Sequence, residues 1–177
     1  KQDGGLRPIA IGEVMLKIAG AIALEVLGLP REPWKGLQFG VGVPGGTGRV
    51  IHAVRRDLQE GSAILALDSK NAFNSPLRQD IADALYSKPE FAKLWNLFAL
   101  EYGTASDLVF EHNGGAHTIK SARGTRQGSV TGPFLFCLVL QPLLEQAAEK
   151  FPQCKVYAYI DDITVTAKDV KDLVAFH

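Results

Sequence analysis

The sequence has almost no cysteine. Its 177 residues include only Cys137 and Cys154, too few for a disulfide framework or a four-ligand zinc site. Long hydrophobic runs are also missing. The longest, Phe134 to Leu140, falls far short of the roughly 20 residues that a membrane-spanning helix needs, so no membrane partner is expected. The opening Lys1-Gln2-Asp3-Gly4-Gly5 is polar and lacks the apolar stretch of a signal peptide. It also lacks an initiator Met, so the chain is expected to be a piece of something longer. With so few cysteines, a reducing, intracellular compartment is the default expectation, and nothing separates nucleus from cytoplasm. Net charge is absent as well, with 19 Lys plus Arg against 19 Asp plus Glu. That counts against a stand-alone nucleic-acid binder, which usually carries a basic excess. The balance shifts along the chain: residues 1–60 hold eight basic and six acidic residues, residues 61–177 eleven and thirteen. An acidic second part is compatible with a carboxylate site for metal ions. Internal repeats and low-complexity tracts do not occur.

What is present is ordinary for a folded protein. Hydrophobic residues at 46% and charged residues at 21% exclude disorder, and the length suffices for one core, or one core with a smaller lobe. Lys1 to Ile11 reads as a short hairpin, with Asp3-Gly4-Gly5 as its turn. Gly12 to Leu27 reads as a helix whose stripe is Met15, Ile18, Ala19, Ile22 and Val26, stopped by Gly28 and Pro30. Residues 30–46, rich in Gly and Pro, read as an irregular loop. A second helix begins near Thr47, with Val50, Ile51, Val54 and Leu58 on its apolar face and Arg49, Arg55 and Arg56 away from it. Ala63 to Leu67 is a strand-length apolar run ending at Asp68. Helices follow over Leu77–Tyr86 and Pro89–Tyr102. Leu108–Glu111 and His117–Lys120 form a hairpin through Asn113-Gly114-Gly115. Phe134 to Lys150 is a mostly buried helix that Pro142 is placed to kink. Val156–Ile160 and Ile163–Thr166 are strands with Asp161-Asp162 at the bend. The pattern predicts an α+β fold with antiparallel pieces and an internal boundary near Gly61.

Tyr159-Ile160-Asp161-Asp162 needs the most explanation. Adjacent carboxylates at a tight turn repel each other. The bland reading is a solvated turn; the sharper one is a magnesium site, since hard divalent cations take carboxylate oxygens. Asp68 strengthens the second reading because it also ends a buried apolar strand. If the two strands are neighbours, three carboxylates converge at one sheet end, able to hold two Mg²⁺ ions roughly 3.5–4 Å apart. A third element, Gly124-Thr125-Arg126-Gln127-Gly128-Ser129-Val130-Thr131-Gly132-Pro133, precedes a long helix. Such a Gly-rich entry lets backbone approach a substrate closely; alone it reads rather as a plain helix-entry loop.

The order of these elements is more specific than any one of them. Ala66-Leu67-Asp68 with Ala72-Phe73, then Arg126-Gln127-Gly128 with Gly132-Pro133, then Tyr159-Ile160-Asp161-Asp162, resembles the three palm motifs of reverse transcriptases. Lys1-Gln2-Asp3-Gly4-Gly5-Leu6-Arg7-Pro8-Ile9 resembles the fingers hairpin of that family. The wording Arg-Pro-Ile and Gly-Thr-Arg-Gln-Gly is closer to non-LTR retrotransposon and group II intron enzymes than to retroviral ones. The resemblance implies an α+β, reverse-transcriptase-like palm with an antiparallel sheet packed on helices. Residues 1–60 would be partial fingers. Residues 61–177 would be the palm with a helical and hairpin insertion, the thumb being absent.

For the site, the resemblance implies that Asp68, Asp161 and Asp162 are the catalytic metal ligands, with the Ser69 carbonyl reaching the nucleotide's ion. The cofactor would be two Mg²⁺ ions, with Mn²⁺ as a substitute. Phe73 stands where the family places an aromatic steric gate against the sugar of the incoming nucleotide; its alternative is core packing. Gln127 and Gly128 would line the nucleotide pocket or contact the template, and Lys1 and Arg7 would grip the triphosphate. Arg123 and Arg126 would contact nucleic-acid phosphates. Asn74 departs from the acidic residue of many relatives, at a position that is not a metal ligand.

The implied activity is RNA-directed DNA polymerisation in a retroelement, joining dNTP to a primer 3′-hydroxyl. The partners would be an RNA template, a DNA or RNA primer and dNTP, with thumb, endonuclease or RNase H segments elsewhere in a longer protein. A thumbless fragment is expected to hold primer-template weakly. Two rivals stand beside this reading: an RNA-dependent RNA polymerase or other palm-type nucleotidyltransferase, and a non-catalytic palm-like scaffold binding RNA or protein. A chance match of the three motifs would put Asp68 far from Asp161.

Overall fold

The computed structural model describes residues 9–28 and 34–177. The elements are α1 (Val14–Leu27), α2 (Gly46–Gln59), β1 (Ala63–Asp68), α3 (Arg78–Tyr86), α4 (Ala92–Tyr102), β2 (Ser106–His112), β3 (Gly115–Ser121), α5 (Gly132–Lys150), β4 (Lys155–Tyr159), β5 (Asp162–Ala167) and α6 (Val170–Phe176). The fold is mixed α+β, and both sheets are antiparallel. The hairpin expected over Lys1 to Ile11, with Lys1 and Arg7, lies almost wholly outside the described residues. The chain divides into two compact units, Lys1–Gly28 with Asn71–Phe136 and Leu29–Lys70 with Cys137–His177. Each unit takes chain from both sides of Gly61.

The first unit is largely helical. Ile81 and Leu85 of α3, Leu94 and Phe98 of α4, and Phe134 and Leu135 of α5 are buried in it. Phe91 meets Phe134 edge to face, with ring centroids 5.1 Å apart. Helix α1 packs on α4, but not by the expected stripe. Met15, Ile18, Ile22 and Val26 are exposed, and Leu16, Gly20, Ala23, Leu24 and Leu27 turn inward. The helix is apolar on nearly every side, so periodicity alone does not choose a face. Buried Gly20 lies on the inward face, where a Cβ would sit in van der Waals contact with Thr131 and Val130 at 3.4 Å. Gly28, at φ 62°, ends the helix in the left-handed conformation and donates to Leu24 and Glu25 carbonyls, as the expected stop requires. Strands β2 and β3 form a two-stranded ribbon. Its turn residues Asn113 and Gly114 both have positive φ, 50° and 74°, the demand of a type I′ hairpin.

The second unit is built on the sheet β1-β5-β4. Strand residues alternate, so Ala63, Leu65 and Leu67 of β1 join Val156, Ala158, Ile163, Val165 and Ala167 on one face. Leu140 and Leu144 of α5 and Leu173 and Phe176 of α6 complete that core. Helix α2 contacts β4 and β5, reaching their polar face through Asp57. Here too the apolar stripe is shifted: Ile51 and Leu58 are exposed, while Val50, Ala53, Val54 and Asp57 face inward. The reason is that the sheet side of α2 accepts a carboxylate. Asp57 takes bonds from Lys155 Nζ (2.6 Å), Tyr157 OH (2.8 Å) and Thr166 Oγ1 (2.7 Å). Pro142 lies inside α5 without ending it. Helix α6, capped by the Asp169 side chain accepting from Lys171 N, has no counterpart in the sequence reading.

Candidate active site

The carboxylates sit at one end of the sheet in the second unit. Asp68, the last residue of β1, lies directly opposite Asp162, the first residue of β5. Both are exposed. Directly opposed residues of an antiparallel pair project from the same face, about 4.5–5.5 Å apart at Cβ. Like charges so placed oppose each other across the sheet. Asp161 precedes Asp162 in the turn and is half-buried. Its charge reaches Cys137 of α5: burial first, and then Asp161, push that thiol up to about 12. Among the described residues, no three His, Cys, Asp or Glu side chains are gathered to hold a metal ion as they stand. The donor set at this sheet end is all carboxylate oxygen, which suits Mg²⁺ or Mn²⁺ rather than a thiolate- or imidazole-bound metal. Ser69 follows Asp68 and is exposed.

The turn between β4 and β5 is strained. Tyr159 pairs with Asp162, leaving Ile160 and Asp161 as a two-residue loop. Ile160 has φ 58° and Asp161 does not have positive φ, the φ pattern of a type II′ turn, whose first central position is normally Gly. A β-branched residue there is an outlier. The segment 37–40 runs beside it: Ala158 N donates to Leu37 O (2.8 Å) and Phe39 N to Ala158 O (2.7 Å). Buried Gln38 meets the backbone of Ile160 through its side-chain amide. The irregular-loop reading of residues 30–46 gave no hint of this. A lone Gln in a Gly-rich stretch is usually solvated.

The other candidate residues that the structure describes lie in the first unit. Phe73 is half-buried, stacked on Phe136 with centroids 4.9 Å apart. Its carbonyl accepts from Thr125 N at 2.8 Å, and Gly124 N donates to Pro76 O at 2.8 Å, so the Gly-rich loop is stitched to the segment after Asn71. Gly124, at φ 61°, leaves no room for a Cβ against Phe73 O. Gly128, at φ 108°, similarly abuts Ala10 O, and Gln127 O accepts from Ala10 N at 2.8 Å. Arg126 lies over the Tyr102 ring, 5.1 Å from its centroid, and donates to Glu101 O at 2.9 Å. Arg123 is exposed and donates to Ser75 O at 2.9 Å. Buried Glu101, unremarked in the sequence, accepts from Ser129 Oγ (3.1 Å) and Thr131 Oγ1 (3.0 Å). It thereby ties α4 to the loop entering α5.

Over residues 1–177 the chain matches the family described as Reverse transcriptase (RNA-dependent DNA polymerase). It is 36% identical over 179 residues to the Retrotransposable element SLACS 132 kDa protein of Trypanosoma brucei gambiense, covering 99% of this chain and 15% of that protein. The chain thus spans about a seventh of the curated relative's length. Among solved structures, apo telomerase from Candida tropicalis, truncated from its C-terminal domain, aligns with a TM-score of 0.56 at 10% identity, covering 92% of this chain and 36% of that one. That likeness shows the fold, a palm-type arrangement. With its three motifs in order and its aspartates meeting across β1 and β5, the chain belongs to the reverse transcriptase (RNA-dependent DNA polymerase) family.

Proposed function

We propose that the chain carries the polymerising centre of a retroelement protein that copies RNA into DNA. One observation carries this reading: Asp68 and Asp162 are register partners on neighbouring strands, with Asp161 beside them. A chance scatter of motifs would not put three aspartates at one sheet end. Asp68, Asp161 and Asp162 would hold two divalent ions, with the Ser69 carbonyl assisting. Such ions supply positive charge that favours the ionised primer hydroxyl and the departing pyrophosphate. The chain's own residues position reactants. Phe73 would select deoxyribose by excluding a 2′-hydroxyl. Gln127 and Gly128 would line the nucleotide pocket, and Lys1 and Arg7 would hold the triphosphate. Arg123 and Arg126 would meet phosphates of the template or primer. Arg123 suits this better, because it is exposed, whereas Arg126 is half-buried over the Tyr102 ring.

The subdomain names follow the same reading, with partial fingers over residues 1–60 and palm over residues 61–177. The partners would be an RNA template, a DNA or RNA primer and dNTP, with further segments of a longer polypeptide such as a thumb, an endonuclease or an RNase H. Among the described residues no helix is long and apolar enough to cross a membrane. An RNA-dependent RNA polymerase is the rival that Phe73 separates. Phe73→Val is expected to admit ribonucleotides, raising rNTP over dNTP incorporation by roughly tenfold or more, within the ~1–3 kcal/mol that pocket shape commands. Unchanged sugar preference would remove Phe73 from the gate.

A further inference from the structure

We propose that Gln38 is the positioning residue of the aspartate turn, holding the Ile160–Asp161 peptide in the one orientation that aims Asp161. This rests on the reading of Asp161 and Asp162 as metal ligands. Gln38 is 1% exposed. Its Oε1 accepts from Ile160 N at 2.7 Å, Gly40 N at 2.9 Å and Phe39 N at 3.1 Å. Its Nε2 donates to Ile160 O at 3.1 Å. Three converging N–H donors fix which end of the amide is oxygen, since a flipped amide would set its NH₂ against all three. Both backbone groups of Ile160 are therefore bound by one side chain.

The consequence lies in the turn's geometry. Types I′ and II′ share positive φ at the first central residue and differ at the second; passing between them swings the central peptide over. The carbonyl of that peptide is Ile160 O, the atom that Gln38 Nε2 holds. Ile160 gains nothing from the left-handed region by itself, so an outside constraint has to keep it there. The segment that supplies the constraint is wedged on both sides. A Cβ at Gly40 would strike Ile160 Cγ1 and approach Ile160 N to 2.6 Å, and a Cβ at Gly46 would strike Phe39 O. Two glycines thus let residues 38–40 lie between the turn and the start of α2. Asp161 leaves the next atom along from the peptide so held, and its carboxylate direction follows.

The test compares Mn²⁺ binding, read by the metal's EPR signal, with thermal unfolding for the wild type, Gln38→Ala, Gln38→Asn, Gln38→Ala with Ile160→Gly, and Asp161→Asn, all in the polypeptide that carries the domain. The Gln38→Asn amide is one methylene too short to span both Ile160 atoms while disturbing the core least. Both single Gln38 variants are expected to weaken Mn²⁺ binding about tenfold or more per folded molecule, the usual effect of losing a group that orients a ligand. Adding Ile160→Gly, which accepts positive φ without help, should recover most of that loss. Lower unfolding temperature with wild-type Mn²⁺ affinity in Gln38→Asn would make Gln38 a packing residue only and overturn the proposal. Equal Mn²⁺ affinity in wild type and Asp161→Asn would instead refute the reading of the aspartates, and the proposal with it.

Discussion

Gly40 shows how much one absent methyl group decides at the residue scale. It carries no special φ, and its neighbours are Ile160 Cγ1 and Ile160 N. Gly40→Ala is therefore expected to cost about 1–3 kcal/mol through overpacking, read as a lower urea midpoint with unchanged m-value. Because the collision falls on the aspartate turn, polymerising activity per folded molecule should fall as well. Full activity would mean that the turn tolerates displacement. The sequence made Asp68, Asp161 and Asp162 legible because carboxylates ending apolar strands are out of place unless something needs them. It left Gln38 and Glu101 hidden. Their roles come from contacts 122 and 30 residues away along the chain, and nothing in their immediate neighbours marks an amide or a carboxylate as buried.

At the scale of elements, periodicity located the helices but misassigned two of their faces. In α1 the cause is excess: apolar residues surround the axis, and the face that packs is the one that carries Gly20. In α2 the cause is a charge on the buried face. Burial would raise the Asp57 carboxyl, but bonds from Lys155, Thr166 and Tyr157 and the charge of Lys155 outweigh it and hold the group below its ordinary 3.8. The phenol of Tyr157 moves the other way, pushed up to about 12 by burial and by its bond to Asp57. A depressed folded pKa stabilises the protein above about pH 4, and that contribution is lost as pH falls through the folded value. Urea unfolding followed from about pH 6 down to 2.5 should show this loss, and Asp57→Asn should flatten it. At pH 7 Asp57→Ala should cost about 2–3 kcal/mol, since it strands the buried Thr166 hydroxyl and the half-buried Tyr157 phenol. A pH profile identical in wild type and Asp57→Asn would contradict the assignment. The corrected face of α1 has its own check. Ile18→Gln should change stability by less than about 0.5 kcal/mol, whereas Gly20→Val should cost about 1–3 kcal/mol.

For the molecule as a whole, the class of fold and the family were legible because three short motifs recur in a fixed order and two of them end strands. The strand order β1-β5-β4 was not. Pairing β1 with β5 joins residues about 100 apart, and only the shared carboxylate chemistry hinted that these strands meet. Helix α6 was missed although Asp169 supplies a cap, because seven residues near the chain's end give too few turns for a periodic signal. The compact units were also out of reach, since each is assembled from separate stretches of chain.

The central claim is that Asp68, Asp161 and Asp162 form one metal-dependent centre for DNA synthesis on RNA. Its most direct test is dNTP incorporation on a primed RNA template by the polypeptide carrying this domain, with and without Mg²⁺. The comparison is wild type beside Asp68→Asn and Asp161→Asn. Incorporation that requires Mg²⁺ and falls by roughly a thousandfold or more in each variant, a loss of ~4 kcal/mol in transition-state stabilisation, is the predicted result. Incorporation by the wild type that survives either substitution would contradict it.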